Sequence, residues 1–146
     1  MTAVIDAIDI EAWRSAVIQQ ILDGCIEDQE DWARVGMALQ DVRVRDVIAW
    51  HSVNGYASEM YRIAMTAASN LPERERANAL CIGAICSAVL GNDQLAMACA
   101  NFALMADSGN NLARLLVIAG RQFNLTTAVN GVFGVLKLEE CRHGSE

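Results

Sequence analysis

Apolar residues along the chain recur at intervals of three and four, and period-two alternation is rare, so the spacing predicts helices and disfavours strands. Ile10, Trp13, Val17, Ile18, Ile21 and Leu22 fall on one stripe. They predict a first helix over about 10–24, capped by Asp9 and stopped by Gly24. Asp28 is placed to cap a second helix, 29–40, that carries Trp32, Val35, Met37 and Leu39. Asp41 offers a side-chain oxygen to the start of a third, 42–53. On that third helix Val44, Val47, Ile48 and His51 share one side, Arg43, Asp46 and Trp50 lie on a neighbouring side, and Asn54-Gly55 breaks the pattern.

A fourth helix, 57–70, is expected to pack Met60, Tyr61, Ala64 and Ala67, and Pro72 suits the first turn of a fifth that runs to Leu90. Gly91-Asn92 makes a turn, Asp93 is the expected cap of a sixth helix to about Ala106, and Ser108-Gly109-Asn110 turns into a seventh over 112–123. A last, weaker helix starts at Thr126 or Thr127 and passes through Val132, Phe133, Val135 and Leu136, diluted by Gly131 and Gly134. The expected fold is therefore all-α. It is one domain over 1–146, a bundle of about seven or eight short helices packed as antiparallel hairpins, with 1–8 and 141–146 expected to fray.

Residues 78–110 have the layout of a helix-turn-helix unit of about 34 residues. Small residues Gly83 and Ala84 fall in its first helix, Gly91 at the turn, Ala96 and Ala103 in its second, with Leu104 placed to fill the groove between them. This half resembles a tetratricopeptide hairpin. A second resemblance rests on Leu39-Gln-Asp41-Val-Arg43-Val-Arg45-Asp46 with Ala49-Trp50, then Ala88-Val-Leu-Gly91-Asn-Asp-Gln-Leu-Ala96, Ala103 and Leu112-Ala-Arg-Leu-Leu116. These stretches, within about 32–125, are similar to the C-terminal helical part of the actinobacterial domain of unknown function 4192 family. The resemblance implies a helical fold and an actinobacterial or phage source, and it implies no reaction. Members usually carry an α/β region before these helices, and the chain is expected to correspond to the helical half alone.

Composition narrows the function classes. With 146 residues, 53% hydrophobic and 20% charged, the chain can bury a core without disulfides or a structural metal. Eighteen acidic residues against eleven basic ones give −7, and only one of the basic residues is Lys, so nucleic acid is disfavoured as a partner. The longest uncharged stretch, 77–92, is too short for a membrane helix and reads as a buried one. No basic leader precedes the first helix, and the expected compartment is the cytoplasm. Five cysteines without a Cys-x-x-Cys pair are expected to be free thiols, with Cys81, Cys86 and Cys99 in apolar helices as inert core groups.

No phosphate loop, nucleophile elbow or convergent ligand spacing is present in the sequence, so no catalytic, cofactor-binding or metal-binding residue is assigned and no cofactor is expected. The one polar constellation is Arg43, Arg45, Asp46 and Trp50, residue types enriched in binding hot spots. Its structural alternative is an Arg45–Asp46 ion pair tying this helix to a neighbour while Trp50 fills the core. Residues 94–106 carry no charge, and 113–118 with 122–136 add only Arg114, so these helices must be central or must bury a face against another chain, a homodimer included. The leading expectation is a non-enzymatic module that binds a protein partner or itself through Arg43, Arg45, Asp46 and Trp50. Two alternatives stand beside it: a DNA-associated regulator using Arg43 and Arg45, and an enzyme whose acid/base site is built on Asp46, His51 and Arg45.

Overall fold

A computed structural model describes residues 3–133 and 137–143, and among these every regular element is helical. The chain runs α1 (Ala3–Asp23), α2 (Gln29–Ala38), α3 (Val42–His51), α4 (Ala57–Ser69), α5 (Arg76–Val89), α6 (Asp93–Ala106), α7 (Asn111–Gln122), α8 (Leu125–Phe133) and α9 (Leu138–His143). A single π-helical turn, Ser52–Tyr56, joins α3 to α4, and within it Asn54 and Gly55 leave the helical region, where the Asn-Gly pair predicts the break.

Helix starts follow local chemistry. The Asp28 carboxylate accepts from the Asp31 backbone N–H while Asp31 reaches back to the Asp28 N–H, a reciprocal capping box. Asp41 accepts from the N–H groups of Arg43 and Val44, as its position predicts. Three other expected starts differ. Asp9 lies inside α1, which begins at Ala3 because apolar residues continue upstream of Ile10. Pro72 opens not a helix but successive tight turns, in which the N–H groups of Glu75 and Arg76 donate to the carbonyls of Pro72 and Glu73, so α5 begins at Arg76. Asn92, not Asp93, caps α6, and Asp93 is thereby released to accept from the Thr126 backbone N–H at the start of α8. At the other end α9 continues through Cys141, a buried residue, to His143. Val135, Leu136 and Gly134 lie outside the described residues.

The core has two parts with α5 between them. Ala79, Ile82 and Cys86 of α5 face Val17 and Ile21 of α1, Val35 of α2, Val44 and Ile48 of α3, and Met60 and Ile63 of α4. Its opposite face, Cys81, Ala84, Ile85 and Ala88, meets α6, α7 and α8 through residues such as Cys99, Leu116, Leu125 and Val129. The uncharged stretch 77–92 is thus the central helix that its composition predicts. Closest packing is between α5 and α6, the hairpin expected from the small residues of 78–110, and between α5 and α4. Gly83 makes the second approach possible: a Cβ there would sit 2.9 Å from Met65 Sδ. Gly91 turns the hairpin at φ +83, a conformation that costs glycine nothing.

Met37, expected on the inner stripe of α2, is 70% exposed, because α2 is short and only Val35, Gly36 and Ala38 face inward. Ile10 and Val132 are also exposed, whereas Phe133 is buried. No helix of the described residues is long and apolar enough to cross a membrane.

Candidate functional site

Helix α3 carries the constellation that the sequence singles out, and its members do different jobs. Arg45 donates through Nε and Nη2 to Asp46 Oδ1, at 3.0 and 2.9 Å, so the ion pair joins neighbours on one helix. The same guanidinium reaches α5, where Nη1 lies 3.4 Å from Asn78 Oδ1. Arg45 is therefore mostly enclosed and fully engaged. Arg43 points elsewhere, donating to the backbone carbonyl of Arg142 on α9 at 3.3 Å. Trp50 is half-buried and packs edge-on against His51, whose ring meets Tyr56 in the same manner across the π-turn.

Asn78 is the centre of this network and is not singled out by the pattern. Its amide nitrogen donates to the Leu39 carbonyl at 2.8 Å, just past the end of α2, and its oxygen accepts from Asn110 at 2.8 Å as well as from Arg45. Asn110 in turn caps α7 by accepting from the Ala113 N–H. One buried amide thus links α2, α3, α5 and α7. The signal for it is present in the sequence: within 77–92, a stretch without charge, Asn78 is an amide at an inward position.

The acid/base grouping does not assemble. Asp46 is bound by Arg45, and the half-buried imidazole of His51 meets Trp50 and Tyr56 edge-on. Burial, reinforced by the Arg142 guanidinium, holds His51 below the usual histidine range. Four of the five cysteines behave as core groups. Burial pushes Cys81 up to about 12 and Cys86 to about 11, Cys99 and Cys141 are raised by the same cause, and Cys25 is exposed. The four buried thiols are thereby poor nucleophiles and poor metal ligands. The described residues hold no group of three His, Cys, Asp or Glu side chains placed to share a metal ion.

Two concave features bear on binding. A groove of about 280 Å³ between α7 and α8 is lined by Leu112, Leu115, Leu116, Val129, Val132 and Phe133, with Leu115 60% and Val132 55% exposed. A smaller cavity lies where α1, α3 and α9 meet and is lined by Arg14, Arg43 and Arg142. The charge-poor helices are accordingly of two kinds. Helix α5 is central, whereas α6 and α7 leave Phe102, Met105, Leu115 and Ile118 open to solvent.

Comparison with the curated proteins and with the solved structures gives no match. A family model does match, over residues 3–122, from the start of α1 to the end of α7. The match therefore extends the resemblance carried by 32–125 back through α1. Its description is "Domain of unknown function (DUF4192)". With most of the chain matched, including α3 and the α5–α6 hairpin on which the central polar network stands, the chain belongs to the DUF4192 family.

Proposed function

We propose that the chain is a non-enzymatic helical protein-interaction module whose docking surface is the groove between α7 and α8. The observation that carries this reading is the apolar lining of that groove with Leu115 and Val132 left in solvent. Exposed apolar concavities of this kind cost hydration free energy until another surface covers them, and an amphipathic helix is the element whose i, i+3, i+4 side chains fill such a groove. Charge defines the partner further. Arg114 and Arg121 are the only charged residues of α7 and α8, so the fitting occupant is a helix with acidic residues flanking its apolar stripe. On α3, Arg45 is bound to Asp46 and to Asn78, Arg43 donates to α9 and Trp50 packs on His51, which favours the α7–α8 groove over this face as the docking surface.

The test is affinity capture with the tagged chain, run beside a Leu115→Glu, Val132→Glu variant and a Trp50→Ala variant, with the mass in solution measured by light scattering. The expected result is a stoichiometric partner that is retained by Trp50→Ala and lost with the groove variant, whose melting temperature stays near that of the parent. A partner lost only with Trp50→Ala places docking on α3 and overturns the groove. A particle of twice the chain mass that the groove variant converts to a monomer identifies the occupant as a second copy. A monomer that captures nothing removes the module reading altogether.

A further inference from the structure

Three arginines from three helices converge on one cavity of about 130 Å³: Arg14 of α1, Arg43 of α3 and Arg142 of α9, with Glu11, Ser15 and Val47 completing the parts of its wall that matter here. In a chain of net charge −7 this is a notable placement, since repulsion among guanidinium groups opposes it unless anions are close by. Carboxylates satisfy one of the three. Arg14 donates through Nε to Asp41 at 2.8 Å and through Nη1 to Glu11 at 2.9 Å. Arg43 donates to a backbone carbonyl, and among the described residues neither Arg43 nor Arg142 has a carboxylate within ion-pair distance. Of the two acids on α9, Glu140 accepts from the Lys137 backbone N–H, and Glu139 too has a partner.

Two of the three arginines are held in place before any ligand arrives. Asp41 is fixed by capping α3, and it fixes Arg14; the α9 carbonyl fixes Arg43. Glu11 is the loose member, a carboxylate 58% exposed that rests on Arg14 from one turn away. With Glu11 in place, three guanidinium charges face two carboxylates. With Glu11 swung out to solvent, the charged side chains left in the wall are the three guanidinium groups, one of them paired with Asp41, which suits the nearly dianionic phosphoryl group at neutral pH. Geometry selects among oxyanions. A carboxylate presents two oxygens in one plane, whereas a phosphoryl group presents three oxygens to donors arriving from three sides, and guanidinium groups suit both the charge and the shape.

We propose that this cavity binds a small phosphomonoester, its phosphoryl oxygens accepting from Arg14, Arg43 and Arg142 and from the Ser15 hydroxyl, with Glu11 as the group it displaces. The site is separate from the α7–α8 groove and stands or falls without it. The experiment titrates the full chain with inorganic phosphate, glycerol 3-phosphate and acetate at constant ionic strength, read by backbone amide shifts. The expected result is saturable shifts confined to α1, α3 and α9, with glycerol 3-phosphate bound more tightly than phosphate. Arg43→Gln and Arg142→Gln should each weaken binding about tenfold or more. Glu11→Gln should tighten it about threefold, a gain that a folding defect does not imitate. Arg62→Gln, an exposed change on α4, should leave it unaltered. No saturable response to either phosphate probe overturns the proposal, as do equal affinities in all four variants. Acetate binding as tightly as phosphate overturns the choice of a phosphoryl group, and inorganic phosphate binding more tightly than glycerol 3-phosphate overturns the phosphomonoester.

Discussion

The side-chain oxygen of Asn78 accepts a hydrogen bond from the Asn110 amide at 2.8 Å, joining the start of α5 to the cap of α7 across 32 residues of sequence. Because the Asn78 nitrogen simultaneously satisfies the Leu39 carbonyl, both ends of this buried amide are used. Asn78→Ala should leave the Leu39 carbonyl and the Asn110 amide without their partner and cost about 1–3 kcal/mol. Urea unfolding of Asn78→Ala, Asn110→Ala and the double variant checks this. A coupling near zero would mean that the two amides stabilise the fold independently.

Asp41 serves two elements at once, capping α3 and anchoring Arg14. Its replacement by Ala should cost about 1–2 kcal/mol, more than a simple exposed cap. Asp41→Asn keeps the cap oxygen and removes the charge, so it should recover most of the loss. Equal unfolding midpoints for the two variants would show that the Arg14 ion pair matters more than the cap.

His51 predicts a pH dependence of definite sign. Burial and Arg142 favour its neutral form in the folded chain, whereas the unfolded chain takes up the proton from about pH 6.5 downward. The unfolded state therefore binds more protons in that range. Stability is fully present above it and falls as the pH drops through about 6.5 towards the lower folded value. Melting temperatures measured from about pH 8 to about 5.5 should decline, and His51→Gln should flatten the decline. An identical slope in the variant would assign the effect to other groups.

Thiol chemistry gives a further check on the core. Of the five cysteines only Cys25 is exposed, and Cys81 and Cys86 are pushed up to about 12 and about 11. An aromatic disulfide reagent at neutral pH should label one thiol of the native chain quickly and the remaining four only on unfolding. Fast labelling of a second thiol would show that the packing around α5 opens readily.

Local signals in the sequence are faithful where the chemistry is local. Asp28 and Asp41 cap the helices they precede, Asn54-Gly55 breaks the chain after α3, and the uncharged run becomes the central helix. Misreadings occur where two neighbouring residues compete for one role, as Asn92 and Asp93 do at the start of α6, or where a favourable residue is followed by turns, as Pro72 is. The α3 group is legible as a constellation but not in its wiring. Arg45 finds Asn78 33 residues away, and Arg43 meets α9 at a separation of 99 residues, distances over which residue spacing carries no information. Arg14 and Arg142 belong to opposite ends of the chain, and only the fold brings them to one cavity.

The packing of α9 against α3 changes how the whole molecule comes apart. An array of stacked hairpins touches only its nearest neighbours and can melt from either end, one unit at a time. Here the last described helix is fastened to the third, and α3 also receives α1. The architecture is therefore a closed circuit, not an open ladder. Release of either α1 or α9 should loosen the same helix, α3, and couple the loss of one to the loss of the other.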